Sequence, residues 1–238
     1  DEGAAADCGN STAGPSTRQD QYVDFADVKL FNADLDAADA ARSQLMVRFL
    51  LCHAACHTVT IEAASPGARL TYAASSPDEL ALVSAARELG LTLIESGQRR
   101  VVLEVASAGL ERALQEPLQR AASGVSTLSV ELLDLCEFDN DRKRMSVVAK
   151  LPSGQLVLLL KGADTSVLDL IDDKASVSCV QSHLQSLACV GLRTLCLACR
   201  DLGAEEHARW HASFQAALAA VSEDRMERVR RLAQEMET

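Results

Sequence analysis

The stretch from Cys136 to Val147 reads CEFDNDRKRMSV and sets unlike chemical types side by side. Phe138 stands among Glu137, Asp139 and Asn140, which are poor neighbours for a core side chain. Four residues on, Arg142, Lys143 and Arg144 follow one another. The 238-residue chain has a formal net charge of −11, so an anionic ligand would need local positive charge. This run supplies it, beside a ring whose face can stack. On a strand, 142 and 144 point one way and 143 the other, so the three cannot all touch one ligand. A solvated face pairing with carboxylates is the competing reading for at least one of them. The acidic balance also argues against general binding to nucleic acid or anionic lipid, which calls for a basic surface.

Three further islands carry chemistry: SSPDELALVSAARELG (75–90), KGAD (161–164) and GLRTLCLACRDL (191–202). Each has an ordinary structural reading. Glu79 stands third after Ser76, which makes a Ser-x-x-Glu capping box. Lys161 ends the apolar run QLVLLL and can reach water from a strand end. Arg193, inside CVGLRTLCLAC, is a charge that calls for a partner, and an internal salt bridge would serve. No Walker-type glycine loop, GxGxxG or GxSxG is present. Two metal readings fail on spacing or support. Cys196 and Cys199, three apart on a strand, point to opposite faces. Cys52, His53, Cys56 and His57 have no second cluster beside them. No metal ligands and no catalytic residues are expected in this chain.

The elements that position these islands can be sketched from periodicity and punctuation. Residues 1–20 are small, polar and aperiodic and read as a disordered leader. A first helix is expected from about Ala37 to His57. Thr71 to Ala73 suits a short strand, and Ser76-Pro77 opens a helix that runs to Gly90. LTLIE and VVLEV read as strands, and LERALQEPLQRAA as a short helix interrupted by Pro117. LSVELLDLCEF, MSVVAKL and QLVLLLK read as three strands, the last two joined by a turn over 151–154. Helices follow at 163–172 and 177–190, then a strand over LRTLCLACRDL. The chain is helical from about 204 to 237, with a break near Ser222. The fold class is therefore α+β, a largely antiparallel sheet flanked by helices.

With 48% hydrophobic residues the chain can bury a sizeable core. Eight cysteines, most inside apolar runs, suit reduced buried thiols in a cytosol rather than a disulfide framework. The longest apolar runs are too short to cross a bilayer. The chain begins with Asp and shows no signal peptide, so a soluble piece of a larger protein is expected.

Taken together and in order, LCHAACHTV (51–59), SSPDELALV, FDNDRKRMSV, KGAD and GLRTL closely resemble the cytosolic nucleotide-binding domain of type IV P-type ATPases, the phospholipid flippases. Tetrapeptides such as KGAD are weak alone; five islands in register are specific. The resemblance covers about residues 22–238 and implies a leader over 1–20 and an ATP-binding domain over 21–238. It implies four nucleotide contacts: Phe138 stacking on adenine, Lys161 at the pocket floor, Arg193 on ribose or phosphate, and Glu79 near the adenine amino group. Asn140 and Cys199 stand where serine and tyrosine are common in relatives. The cofactors implied are ATP and Mg2+, the latter with ligands outside this chain. The partners implied are the actuator, phosphorylation and transmembrane domains of the parent pump and an accessory membrane subunit. Phospholipid would be met only by membrane helices absent here, and no nucleic acid is expected. The domain would be a cytosolic part of an integral membrane protein. DKTG, a TGD-type loop and an aspartate-rich magnesium loop do not occur, so this chain alone should bind ATP without hydrolysing it. The competing expectations are a non-catalytic nucleotide-sensing or protein-interaction module with the same fold, and a P-type ATPase with another cargo.

Overall fold

The structure, a computed structural model, describes residues 25–62, 70–121 and 124–238. The expected leader over 1–20 lies outside the described residues. Helices α1 (Phe25–Ala37) and α2 (Ala40–Ala55) come first, followed by strands β1 (Thr60–Glu62) and β2 (Thr71–Ala73). Helix α3 (Pro77–Glu88), strands β3 (Leu91–Ser96) and β4 (Arg100–Val105) and helix α4 (Ala108–Leu114) follow. Next are strands β5 (Gln119–Arg120), β6 (Ser126–Asp139), β7 (Arg144–Lys150) and β8 (Leu156–Gly162). The chain continues through α5 (Asp164–Val167), a 3-10 turn over 168–170 and α6 (Lys174–Cys189). It ends in β9 (Cys196–Leu202), α7 (Ala204–Ala219) and α8 (Arg225–Glu237).

β1 and β2 form a two-stranded ribbon. The main sheet runs β3-β4-β6-β7-β8-β9, with β5 also on β6, and every pairing is antiparallel. This is the expected α+β class. β7 is buried on both sides, which explains its unbroken apolar reading. Met145, Val147 and Ala149 join the larger core, which also holds Leu50, Leu51 and Val83 of α2 and α3. Val148 joins Cys136 and Leu158 in a second core under Trp210, Phe214, Leu232 and Met236 of α7 and α8. Period-two alternation thus feeds two helical layers from one strand. Burying a leucine or phenylalanine fully is worth about 1.5–3 kcal/mol each, so both layers hold the sheet firmly.

The β7–β8 turn forms over Leu151–Gly154, where Leu151 N–H donates to Gln155 O at 2.9 Å and Gly154 sits at φ +90°. Several expectations need correction. The first helix is α1, which is weakly patterned, and β1 was not foreseen. The 163–172 helix is only one turn plus the 3-10 turn. β9 starts at Cys196, which leaves Arg193 in the link before it. The capping box at α3 does not form: the Ser76 side chain makes no cap hydrogen bond, and Glu79 is engaged elsewhere. The seven described cysteines are free thiols. Among the described residues no helix is long and apolar enough to cross a membrane.

Candidate functional site

Glu79 sits in the first turn of α3 with its carboxylate turned inward. Oε2 accepts from the Thr58 amide at 3.0 Å and the Thr58 hydroxyl at 2.7 Å. Oε1 accepts from Lys161 Nζ at 2.7 Å, and both side chains of this ion pair are buried. Burial raises the carboxyl pKa, but the Lys161 ammonium and the two Thr58 donors outweigh it and hold Glu79 below its ordinary value. One carboxylate lone-pair site stays unclaimed by these three donors. Asp78, one residue earlier, pairs with Arg193 at 3.1 Å. The Arg193 side chain is 79% exposed, so it reaches solvent rather than lying in an apolar run as its flanks suggested.

Phe138 is 60% exposed. Its place follows from register. Cys136 pairs with Ser146 and Asp139 with Arg144, so Glu137 and Phe138 share a bulge opposite Met145. Met145 in turn pairs with Lys161. Phe138, Met145 and Lys161 therefore stand in line across three strands. At about 4.8 Å per strand, the Phe138 and Lys161 backbones are about 10 Å apart. Lys161 reaches Glu79, and Asp78 reaches Arg193, so the fold gathers all four expected residues at one end of the sheet. Contact is direct only within the Glu79–Lys161 and Asp78–Arg193 pairs. Phe138 also borders a cavity of about 480 Å³ on the α7–α8 side, which the other three do not line.

The basic run is divided differently from the expectation. The Arg142 guanidinium donates to Glu237 Oε1 and, at 2.7 Å, to Glu137 O. Arg144 Nε donates to Glu237 Oε2 at 2.6 Å, and Ser146 Oγ donates to Oε1 at 2.7 Å. Side-chain exposures of 6% and 8% for the arginines and 0% for Glu237 make this a buried knot. Two of the three cations thus anchor the last turn of α8 and do not face a ligand. Lys143 is the exposed one, held in the β6–β7 turn at φ +53°. Its amide donates to Asp139 O at 2.7 Å and its carbonyl accepts from Ala163 N at 3.0 Å. Gly162 serves that same approach. A Cβ there would come within 2.7 Å of Lys143 O and 2.9 Å of Arg144 Cα, so its smallness admits the neighbouring strand rather than a ligand.

The Cys52–His57 segment is occupied by packing. Cys52 Sγ donates to Leu160 O at 3.5 Å. His57 Nε2 donates to Ala54 O at 2.9 Å while Nδ1 accepts from Val59 N at 3.0 Å, which fixes a neutral ring. Burial is the main cause that lowers its pKa to about 4. Thr58, Asp78 and Met145 are the site neighbours that sequence reasoning missed. Thr58 closes the 51–59 island, but nothing local marks its bond to Glu79.

A helix-flanked antiparallel sheet thus carries an exposed aromatic two strands away from a buried lysine–carboxylate pair. Residues 45–233 match the family model described as P-type ATPase, cytoplasmic domain N, and the chain belongs to that family. It is 36% identical over 210 residues to phospholipid-transporting ATPase DRS2 of Saccharomyces cerevisiae, covering 87% of this chain and 14% of that protein. It is 33% identical over 228 residues to phospholipid-transporting ATPase C887.12 of Schizosaccharomyces pombe, covering 94% and 17%. Probable phospholipid-transporting ATPase IM of Homo sapiens is 36% identical over 191 residues, covering 79% and 14%. The chain thus spans about one-sixth or less of the length of these relatives.

Proposed function

We propose that this domain binds ATP for a phospholipid-translocating P-type ATPase and presents the γ-phosphate to an aspartate outside the chain. The observation that carries the reading is the line Phe138–Met145–Lys161 across three strands, with an exposed ring at one end and the Glu79–Lys161 pair at the other. Adenine stacks on Phe138, and the free lone-pair site of Glu79 accepts from its amino group. Lys161 supplies positive charge at the floor. Arg193 and Lys143, the exposed cations nearby, face the ribose and phosphates. The names of the relatives support the lipid-pump assignment.

The domain's own contribution is binding and orientation. It holds adenosine so that the terminal phosphate can meet a nucleophile, which is catalysis by positioning. Mg2+ would be held by other domains and would neutralise phosphate charge. The actuator, phosphorylation and transmembrane parts of the pump, with an accessory membrane subunit, would complete the machine at the membrane. No DKTG occurs in the 238 residues, so this chain binds ATP without turning it over.

The test is a titration of the 238-residue chain with ATP, read by calorimetry and NMR shifts, beside Phe138→Ala. Binding of roughly millimolar strength or somewhat tighter, about −4 to −6 kcal/mol, is expected. Loss of the stacking face should weaken it by about 1–3 kcal/mol. A folded domain that shows no binding at several millimolar ATP overturns the reading and favours a protein-interaction module.

A further inference from the structure

A cluster that the nucleotide site does not use lies on the opposite helical layer. His207 and His211 are four apart on α7 and lean over Asp134 of β6. His207 Nε2 lies 2.8 Å from Asp134 Oδ2, and His211 Nδ1 lies 2.8 Å from both carboxylate oxygens. Gln215, one turn further, donates to Oδ1 at 2.9 Å. The Asp134 side chain is fully buried, while His211 is 41% exposed. One ligand atom from each of Asp134, His207 and His211 lies within 4.8 Å of the others.

We propose that Asp134, His207 and His211 form a binding site for a divalent transition metal ion, zinc above all. Two imidazole nitrogens and one carboxylate oxygen make a donor set that suits zinc far better than calcium or magnesium, which prefer all-oxygen cages. With bonds of 2.0–2.1 Å, tetrahedral ligand atoms stand about 3.3 Å apart. The atoms now 2.8 Å apart need to separate by only about half an ångström, a shift that small side-chain torsions supply, above all at the partly exposed His211. A tautomer shift frees both lone pairs without loss of a proton: His207 keeps its hydrogen on Nδ1, and His211 on Nε2.

Two surroundings favour this use. Asp134 is a wholly buried carboxylate whose hydrogen-bond partners, among the described residues, are two imidazoles and the Gln215 amide, and a divalent ion would compensate its charge. A cavity of about 480 Å³, lined by His207, His211, Gln215, Glu131, Arg99 and Arg100, opens beside the histidines and leaves room for a water as fourth ligand. The two arginines oppose a cation there, and Glu131 offsets part of their charge. Arg100 is itself ion-paired with Glu95 at 2.5 Å. The metal would clip α7 to β6, the strand that carries Phe138 four residues further on.

The experiment uses the 238-residue chain, stripped with EDTA, with Cys8 and the exposed thiols of Cys179, Cys189 and Cys199 alkylated so that these thiolates cannot supply ligands. Zn2+ is titrated by calorimetry and thermal unfolding. Co2+ is titrated against the fluorescence of Trp210, the single tryptophan, whose ring lies 6.3 Å from that of His207. One equivalent of Zn2+ should bind, Tm should rise by about 5–10 °C at a hundredfold excess over Kd, and Co2+ should quench Trp210. His211→Gln, at a partly exposed position, should weaken Zn2+ at least tenfold while the metal-free fold persists. Asp134→Asn should do the same wherever it folds. No heat and no Tm shift at about 100 μM Zn2+ overturns the proposal and leaves a hydrogen-bonded network. Binding undiminished in His211→Gln overturns it equally, as an adventitious ion elsewhere.

Discussion

Glu237, the last residue but one, is the most consequential side chain outside the nucleotide site, and Glu237→Gln tests why. Its carboxylate serves Arg142, Arg144 and Ser146 at once, with no exposure of its own. The amide that replaces it carries no charge and turns an NH2 group toward groups that are themselves donors. One oxygen cannot satisfy two guanidiniums and a hydroxyl. Two buried cations then lose their compensation, a change that costs about 3–5 kcal/mol where a buried pair is broken. Against a total stability of about 5–15 kcal/mol this is a large fraction. At about 2–4 °C per kcal/mol for a chain of this size, Tm should fall by about 6–20 °C. Urea unfolding followed by Trp210 fluorescence is the assay. The indole N–H donates to Leu232 O of α8 at 2.7 Å, so the probe sits in the layer that loosens. The triple replacement Arg142→Met, Arg144→Met, Glu237→Met removes charge and demand together and should recover much of the loss. A Glu237→Gln domain within about 0.5 kcal/mol of wild type would refute the claim that the knot is structural.

Gly162→Ala should cost about 1–3 kcal/mol by forcing β7 and β8 apart at Lys143 and Arg144, and should weaken ATP as well, measured by urea unfolding and calorimetry. Lys143→Ala should leave stability within about 1 kcal/mol and reduce both ATP affinity and its salt dependence, since Lys143 is the exposed member of the basic run. Stability should fall with acid. His57, ordinarily near 6.5 but about 4 in the fold, stays neutral in the native state while the unfolded chain takes up a proton. Its contribution is therefore full above pH 6.5 and lost as pH falls to about 4, on the order of 3 kcal/mol. Glu79, also held low, adds a loss of the same sign at lower pH. Stability curves at several pH values, with His57→Gln flattening the slope between 6.5 and 4, check this.

Much of the sheet could be read ahead because its strands advertise themselves. QLVLLLK and MSVVAK are buried on both faces and read as unbroken apolar runs, while the Leu151–Gly154 turn carries its own glycine. The helical hairpin of α7 and α8, broken near Ser222, was legible for the same local reasons. Other features depend on partners far away in the chain. Arg142 and Arg144 look like ligand cations until Glu237, 95 and 93 residues on, is seen between them. Glu79 looks like a cap until Lys161, 82 residues on, claims it. Asp134 and His207, 73 apart, are linked only by the packing of α7 on the sheet. Charge invites short-range explanations, and here the pairing is long-range.

The bulge at Glu137 and Phe138 acts as a parity switch. With unbroken alternation from the Cys136–Ser146 pair, Phe138 would stand opposite Arg144, on the side where Arg144 meets Glu237 beneath α8. The extra residue returns Asp139 to that side and sets Phe138 opposite Met145, in line with Lys161. The backbone of the aromatic platform is thus brought into line with Lys161 by a two-against-one count of residues, while Phe138 borders the α7–α8 cavity. A one-residue deletion at Glu137 would remove the bulge and still leave Phe138 opposite Met145 and Asp139 opposite Arg144. What fixes the ring's register with Lys161 is its place next to the Asp139–Arg144 pair, and the bulge absorbs the extra residue before it.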